Sequence, residues 1–82
     1  MSGVTWVPAA RAALAGFAKD DPGGADQVFD SVALLLRDPR PAGARPWGPD
    51  RFRIHIGRYR VVYVIKRNKP VVITVEHVGR VG

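Results

Sequence analysis

The chain has 82 residues, enough for one domain spanning 1–82 with a single hydrophobic core, and a formal net charge of +6. A domain this small buries only about 60% of the surface its unfolded chain exposes, so its stability depends on few contacts. The absence of cysteine excludes disulfide staples, a thiolate nucleophile and sulfur-ligated zinc, and is compatible with a reducing cytoplasm, the expected location.

No basic segment followed by a long apolar run opens the sequence, so neither a secretory leader nor a membrane span is expected. The placement of charge says more than its sum. Residues 1–50 carry five basic groups against six acidic ones, a net −1, whereas residues 51–82 carry eight against Glu76 alone, a net +7. Such asymmetry points to a polyanion or an acidic protein as partner.

Val4-Thr5-Trp6-Val7 reads as a short strand. Pro8 then stands where a first helical turn tolerates its missing N–H. From Pro8 to about Asp20, Ala10, Leu14 and Phe17 recur at helical spacing. Asp21-Pro22-Gly23-Gly24 breaks that helix, and a second is expected over roughly Ala25 to Arg37. Val28, Val32, Leu35 and Leu36 form its apolar side, and Phe29 lies at the edge. Asp26 and Asp30 near its start and Arg37 near its end would complement the helix dipole. Residues 38–50 hold four prolines and two glycines and read as a loop, from which Trp47 is expected to fold back on the core.

The last third reads as strands. Phe52, Ile54 and Ile56 alternate with Arg51, Arg53 and His55, and Gly57-Arg58 fits a two-residue hairpin turn with glycine first. That register sets Ile56 opposite Tyr59, Ile54 opposite Val61 and Phe52 opposite Tyr63 on one face. On the other face His55 meets Arg60, Arg53 meets Val62, and Arg51 meets Val64. A slip of one residue would bury the arginines. Tyr59 to Lys66 is apolar on both faces, as a central strand should be. Arg67-Asn68-Lys69-Pro70 turns the chain into a last strand, Val71 to Val78, whose pairing the pattern leaves open. Val62 and Val64 therefore form an apolar end of the cationic face that needs a cover. A cationic face with an imidazole suits work on a phosphate backbone. His77 reads as a packed or a strand-end residue, and Trp6 as core.

The order strand, helix pair, Pro-rich loop and three-stranded antiparallel meander packed on the helices, an α+β fold, resembles the RelE/ParE superfamily of type II toxins. Leu36-Arg37-Asp38-Pro39-Arg40 is similar to the "L-x-D-P-R" that closes the second helix there. Arg45-Pro46-Trp47-Gly48 stands where a basic residue, a large apolar residue and a glycine precede the sheet. Phe52 to Tyr63 resembles "Y-R-I-R-x-G-D-Y-R-V-I-Y", and Val78-Gly79-Arg80 resembles "V-G-H-R". The pattern departs in two places: Arg80 comes one position early, and no tyrosine follows it.

The resemblance to RelE-like members implies a metal-independent endoribonuclease, without cofactor, acting on mRNA in the ribosomal A site. A ribose 2′-OH attacks the adjacent phosphate and expels the 5′-oxygen, which needs a proton acceptor, a proton donor and positive charge at the phosphate. By that resemblance Arg60 and Arg80 would stabilise the transition state, Arg53 would bind substrate phosphate, and His55 would accept the proton. Arg45, Arg51, Arg58, Lys66 and Arg67 would attract RNA. The implied partner is a small acidic RelB-like antitoxin, and the toxin–antitoxin complex would bind operator DNA. The missing tyrosine keeps two alternatives open: a ParE-like inhibitor of DNA gyrase, and a weakly active or inactive homologue that only binds its antitoxin.

Overall fold

A computed structural model describes residues 2–81. Its elements are β1 (Gly3–Trp6), α1 (Pro8–Ala18), α2 (Pro22–Leu34), β2 (Arg45–Pro46), β3 (Arg51–Ile56), β4 (Tyr59–Asn68) and β5 (Val71–Arg80). The meander β3-β4-β5 is the centre of a five-stranded sheet ordered β1-β5-β4-β3-β2, with β1 parallel to β5 and the other pairs antiparallel. The helices cover one face of this sheet and leave the other open. No helix among the described residues is long and apolar enough to cross a membrane.

The β3–β4 register is the one the alternation implies: Ile56 pairs with Tyr59, His55 with Arg60, Ile54 with Val61, Arg53 with Val62, Phe52 with Tyr63 and Arg51 with Val64. Gly57 makes the reversal possible. Its φ is +59°, and no other residue type in the described chain has positive φ. Arg58 therefore keeps an ordinary φ, which is the pattern of a turn with glycine at its first central position.

The core lies between the helices and the inner sheet face. It unites Ala10 of α1 and Val28 and Val32 of α2 with Leu35 just beyond α2. From the sheet come Phe52 and Ile56, then Tyr59, Val61, Tyr63 and Ile65, and finally Ile73, Val75 and Val78. Tyr59 and Tyr63 are sealed, and each hydroxyl finds a partner. Tyr63 donates to the Pro39 carbonyl at 2.7 Å, which pins the start of the Pro-rich loop to the sheet. Burial pushes the Tyr63 hydroxyl up to about 12, so it remains protonated. Tyr59 donates to Asp21 Oδ2 at 2.8 Å.

Asp21 corrects the expected helix boundary. It does not merely break the first helix; it caps the second, accepting from Gly24 N at 3.1 Å with Pro22 in the first turn. α2 thus starts three residues before Ala25 and ends at Leu34, followed by a turn in which Leu35 N bonds Val32 O at 3.0 Å. Neither Asp26 and Asp30 nor Arg37 then falls in a terminal turn, so the capping carboxylate replaces the expected dipole pairing. Gly24 is required by close approach: a methyl group there would lie 2.7 Å from Asp21 Cγ and 2.9 Å from the Tyr59 ring.

Two further expectations are revised. The 38–50 segment is not wholly loop, because Arg45 and Pro46 pair with Arg53 and Phe52 as an edge strand. This pairing carries Trp47 to the open side of the sheet, where it is 55% exposed and not folded on the core. Val64 needs no external cover. It is only 7% exposed, beneath an ion pair in which Arg51 Nε meets Glu76 Oε1 at 2.6 Å across β4. Trp6 is half-buried and stacks on Phe29 at 6.1 Å.

The hydrogen bond from Tyr59, followed by that from Gly24 N–H, holds the Asp21 carboxyl below its ordinary range. A carboxyl with depressed folded-state pKa stabilises above its unfolded value, about pH 4, and loses that contribution as pH falls through the folded value. Thermal melts of the parent and Asp21→Asn should therefore differ at neutral pH, and the difference should shrink as pH falls below about 4. A gap independent of pH contradicts the assignment. Gly57→Ala should lower stability in urea by about 1–2 kcal/mol, the cost of a left-handed conformation for a residue with a Cβ. An unchanged midpoint would show that the turn does not need glycine.

Candidate functional site

The open face of the sheet is built by strand parity. Arg51, Arg53 and His55 leave β3 on that side, Arg60 and Val62 leave β4, and Arg45 and Trp47 approach from β2. His55 and Arg60 touch: Arg60 Nε donates to His55 Nε2 at 3.3 Å. In that contact Nε2 serves as the acceptor, through its lone pair. The guanidinium of Arg53 lies 4.6 Å from the centre of the Trp47 ring, within cation–π range.

β5 contains the feature that sequence reasoning missed. Val62 pairs with His77, but Tyr63 pairs with Val75, so Glu76 is an extra residue in the ladder. Such a bulge reverses the parity of everything after it. It turns His77 outward, Val78 into the core, Gly79 outward opposite Arg60, and Arg80 inward opposite Tyr59. His77 is accordingly exposed instead of packed. Its Nε2 lies 3.0 Å from where a Cβ on Gly79 would stand, so the bare glycine gives the imidazole room beside Arg60. The only forewarning in the sequence was that both faces of this strand look apolar.

Arg80 does not join the His55–Arg60 group. It sits on the helix side, where Nη1 meets Asp20 Oδ1 at 3.1 Å and the guanidinium lies 4.9 Å from the Phe17 ring centre. Its hydrogen bonds to Asp20 and then Tyr59 raise its pKa further, so it acts there as a fixed cation tying the end of β5 to the α1–α2 junction.

The remaining basic residues divide by position. Arg51 is committed to Glu76. Arg45 is exposed opposite Arg53, and Arg58 is exposed at the β3–β4 turn, beside the His55–Arg60 pair. Lys66, the extra residue of a second irregularity on β4, and Arg67 lie at the far end of the sheet. Both tyrosines are sealed in the core, so neither supplies an acid or base to the open face. No group of three His, Cys, Asp or Glu among the described residues could hold a metal ion. On the helix side, Val4, Trp6, Leu14 and Phe29 line a separate, largely apolar groove of about 480 Å³.

The fold and this face can be set beside known proteins. Among solved structures, a YoeB/ParE toxin from Agrobacterium tumefaciens superposes with a TM-score of 0.77 at 15% identity, covering 96% of each chain. The isolated E. coli RelE toxin superposes with a TM-score of 0.74 at 22% identity, covering 96% of this chain and 83% of that one. These likenesses are of fold. No curated protein matches the chain. The family model described as the ParE toxin of type II toxin–antitoxin systems, parDE, matches residues 4–82. The chain therefore belongs to the ParE/RelE superfamily, as a toxin of a type II toxin–antitoxin system.

Proposed function

We propose that this toxin is a metal-independent endoribonuclease that cleaves translated mRNA by attack of a ribose 2′-OH on the adjacent phosphate. The observation that carries this reading is the 3.3 Å contact between Arg60 Nε and His55 Nε2 on an open cationic face. In the free protein Arg60 shares the lone pair of His55. An incoming phosphate draws the guanidinium toward its own oxygens, where planar two-point contact is favourable. Nε2 is then free to take the 2′-OH proton.

As the 2′-oxygen bonds to phosphorus, negative charge grows on the equatorial oxygens, and Arg60 and Arg53 stabilise it. The 5′-oxygen departs with the electron pair of the broken P–O bond and takes a proton from His77 in its protonated form. The products are a 2′,3′-cyclic phosphate and a 5′-hydroxyl. This division of roles replaces Arg80, which is engaged with Asp20, by His77 as a participant. The cognate partner is an antitoxin that masks the cationic face, and the cytoplasm, where translated mRNA is found, is the location this activity requires.

The same engagement of Arg80 favours a second reading, in which the toxin inhibits DNA gyrase by binding it and performs no phosphoryl chemistry. The two part in one experiment. Purified toxin is added to a translating extract, mRNA ends are mapped by primer extension, and gyrase supercoiling is assayed in parallel. Cleavage within translated codons is expected with supercoiling intact. Arg60→Ala should lower the cleavage rate about 10²–10³-fold, and His55→Ala or His77→Ala about 10²–10⁴-fold. Intact mRNA with blocked supercoiling, or cleavage indifferent to all three substitutions, overturns the nuclease reading. Arg80→Ala should lower thermal stability while leaving the ionic-strength dependence of RNA binding unchanged. Arg53→Ala should reduce the slope of log K against log salt by about 1. The opposite assignment of effects would place Arg80 on the substrate.

A further inference from the structure

Trp47 has no part in the cleavage chemistry, yet it is more than half exposed on the cationic face. Its position is fixed and not that of a loose loop tip. Its backbone N–H donates to Arg51 O at 2.7 Å, extending the β2–β3 pairing past Pro46. The Arg53 guanidinium lies 4.6 Å from the ring centre. Water-exposed indole held in place by backbone and cation is a preorganised aromatic surface, and little freedom remains to be lost when something stacks on it.

The surroundings select what would stack. Arg45 and Arg53 stand opposite each other beside the indole. Glu76, the acidic residue on β5 nearest this face, is already paired with Arg51. The surface therefore offers a flat π system amid unbalanced positive charge, the combination that binds a polyanion bearing aromatic rings. A duplex keeps the faces of its bases inside the stack, so an indole can reach only an unpaired base. Along β3, Arg53 is two residues from His55, about 7 Å of strand rise, so the ring lies adjacent to the groups that would hold the scissile phosphate.

We propose that Trp47, fixed by Arg53, is a nucleobase-stacking subsite that receives one unpaired base of single-stranded RNA beside the phosphate bound at His55 and Arg60. This rests on the reading of the open face as the RNA-binding face. The subsite accepts any base, because every base has a π face, and so adds affinity and register instead of sequence choice.

The chain has two tryptophans, so the test uses a Trp6→Phe background in which Trp47 is the sole indole. The probe is a 2′-O-methyl RNA hexamer, which cannot be cleaved because it has no free 2′-OH, compared with an abasic hexamer of equal charge. The base-bearing hexamer should quench Trp47 fluorescence. By a label on the RNA, it should bind Trp47→Ala about tenfold more weakly, while Trp47→Phe retains most of the affinity and the abasic hexamer binds all three alike. Equal binding of the base-bearing hexamer to Trp47→Ala, or the same loss with the abasic hexamer, overturns the subsite. Quenching by an antitoxin or gyrase fragment but not by RNA also overturns it, in favour of a protein-binding role. Because the probe is uncleavable, quenching without any mRNA cleavage would sink only the nuclease reading. Cleavage that survives Trp47→Ala without loss of RNA affinity would sink only the subsite.

Discussion

The structure depends on one register, the antiparallel pairing of β3 with β4 about Gly57. With a positive φ at that glycine, the hairpin closes so that Phe52, Ile56, Tyr59, Val61 and Tyr63 lie inward and are buried. The same closure points Arg51, Arg53, His55 and Arg60 outward. A shift of one residue would exchange the two sets and force cations beneath the helices, where each would lack a partner. Core formation and the exposure of the cationic face are thus the same event. In a domain this small, the helices can cover only one side of the sheet, and the pattern on β3 decides which.

The helix side is where the fold is fastened. Asp21 caps α2 and receives the Tyr59 hydroxyl, while Asp20 receives Arg80 from the last residue of β5. Adjacent carboxylates at the α1–α2 junction therefore hold both β4 and β5. Arg80 is used there because the bulge at Glu76 reverses the alternation of β5. That one inserted residue also brings His77 onto the open face and lets Glu76 close over Val64 with Arg51. The bulge thus sends Arg80 to the helix side and leaves an imidazole, His77, on the open face opposite Val62.

Much of the fold was legible because the signals were local. Strict alternation from Arg51 to Ile56 and a glycine at the reversal determine the hairpin, and apolar spacing reveals both helices. The β3 and β4 members of the open face followed from the same parity. What was not legible came from pairing between distant segments. Trp47 lies in a Pro-rich stretch, where an aromatic residue is ordinarily assumed to seek the core. Only the Arg45–Arg53 pairing turns it to the open side. The bulge at Glu76 leaves no trace in a strand apolar on both faces, so the exposure of His77 and the inward turn of Arg80 could not be read. The cap at Asp21 was hidden because proline and two glycines usually end a helix, whereas here they begin one.

The central claim is that the open sheet face, and not the helix side with its apolar groove, is the surface that meets RNA. Amide and side-chain NMR shifts, followed while an uncleavable RNA oligomer is titrated into the isotope-labelled toxin, test it most directly. The account predicts that perturbations concentrate on Arg53, His55, Arg60, Val62 and His77, with Phe17, Asp21 and Phe29 undisturbed. Perturbations centred on α1 and α2, with the β3 and β4 positions silent, would contradict it.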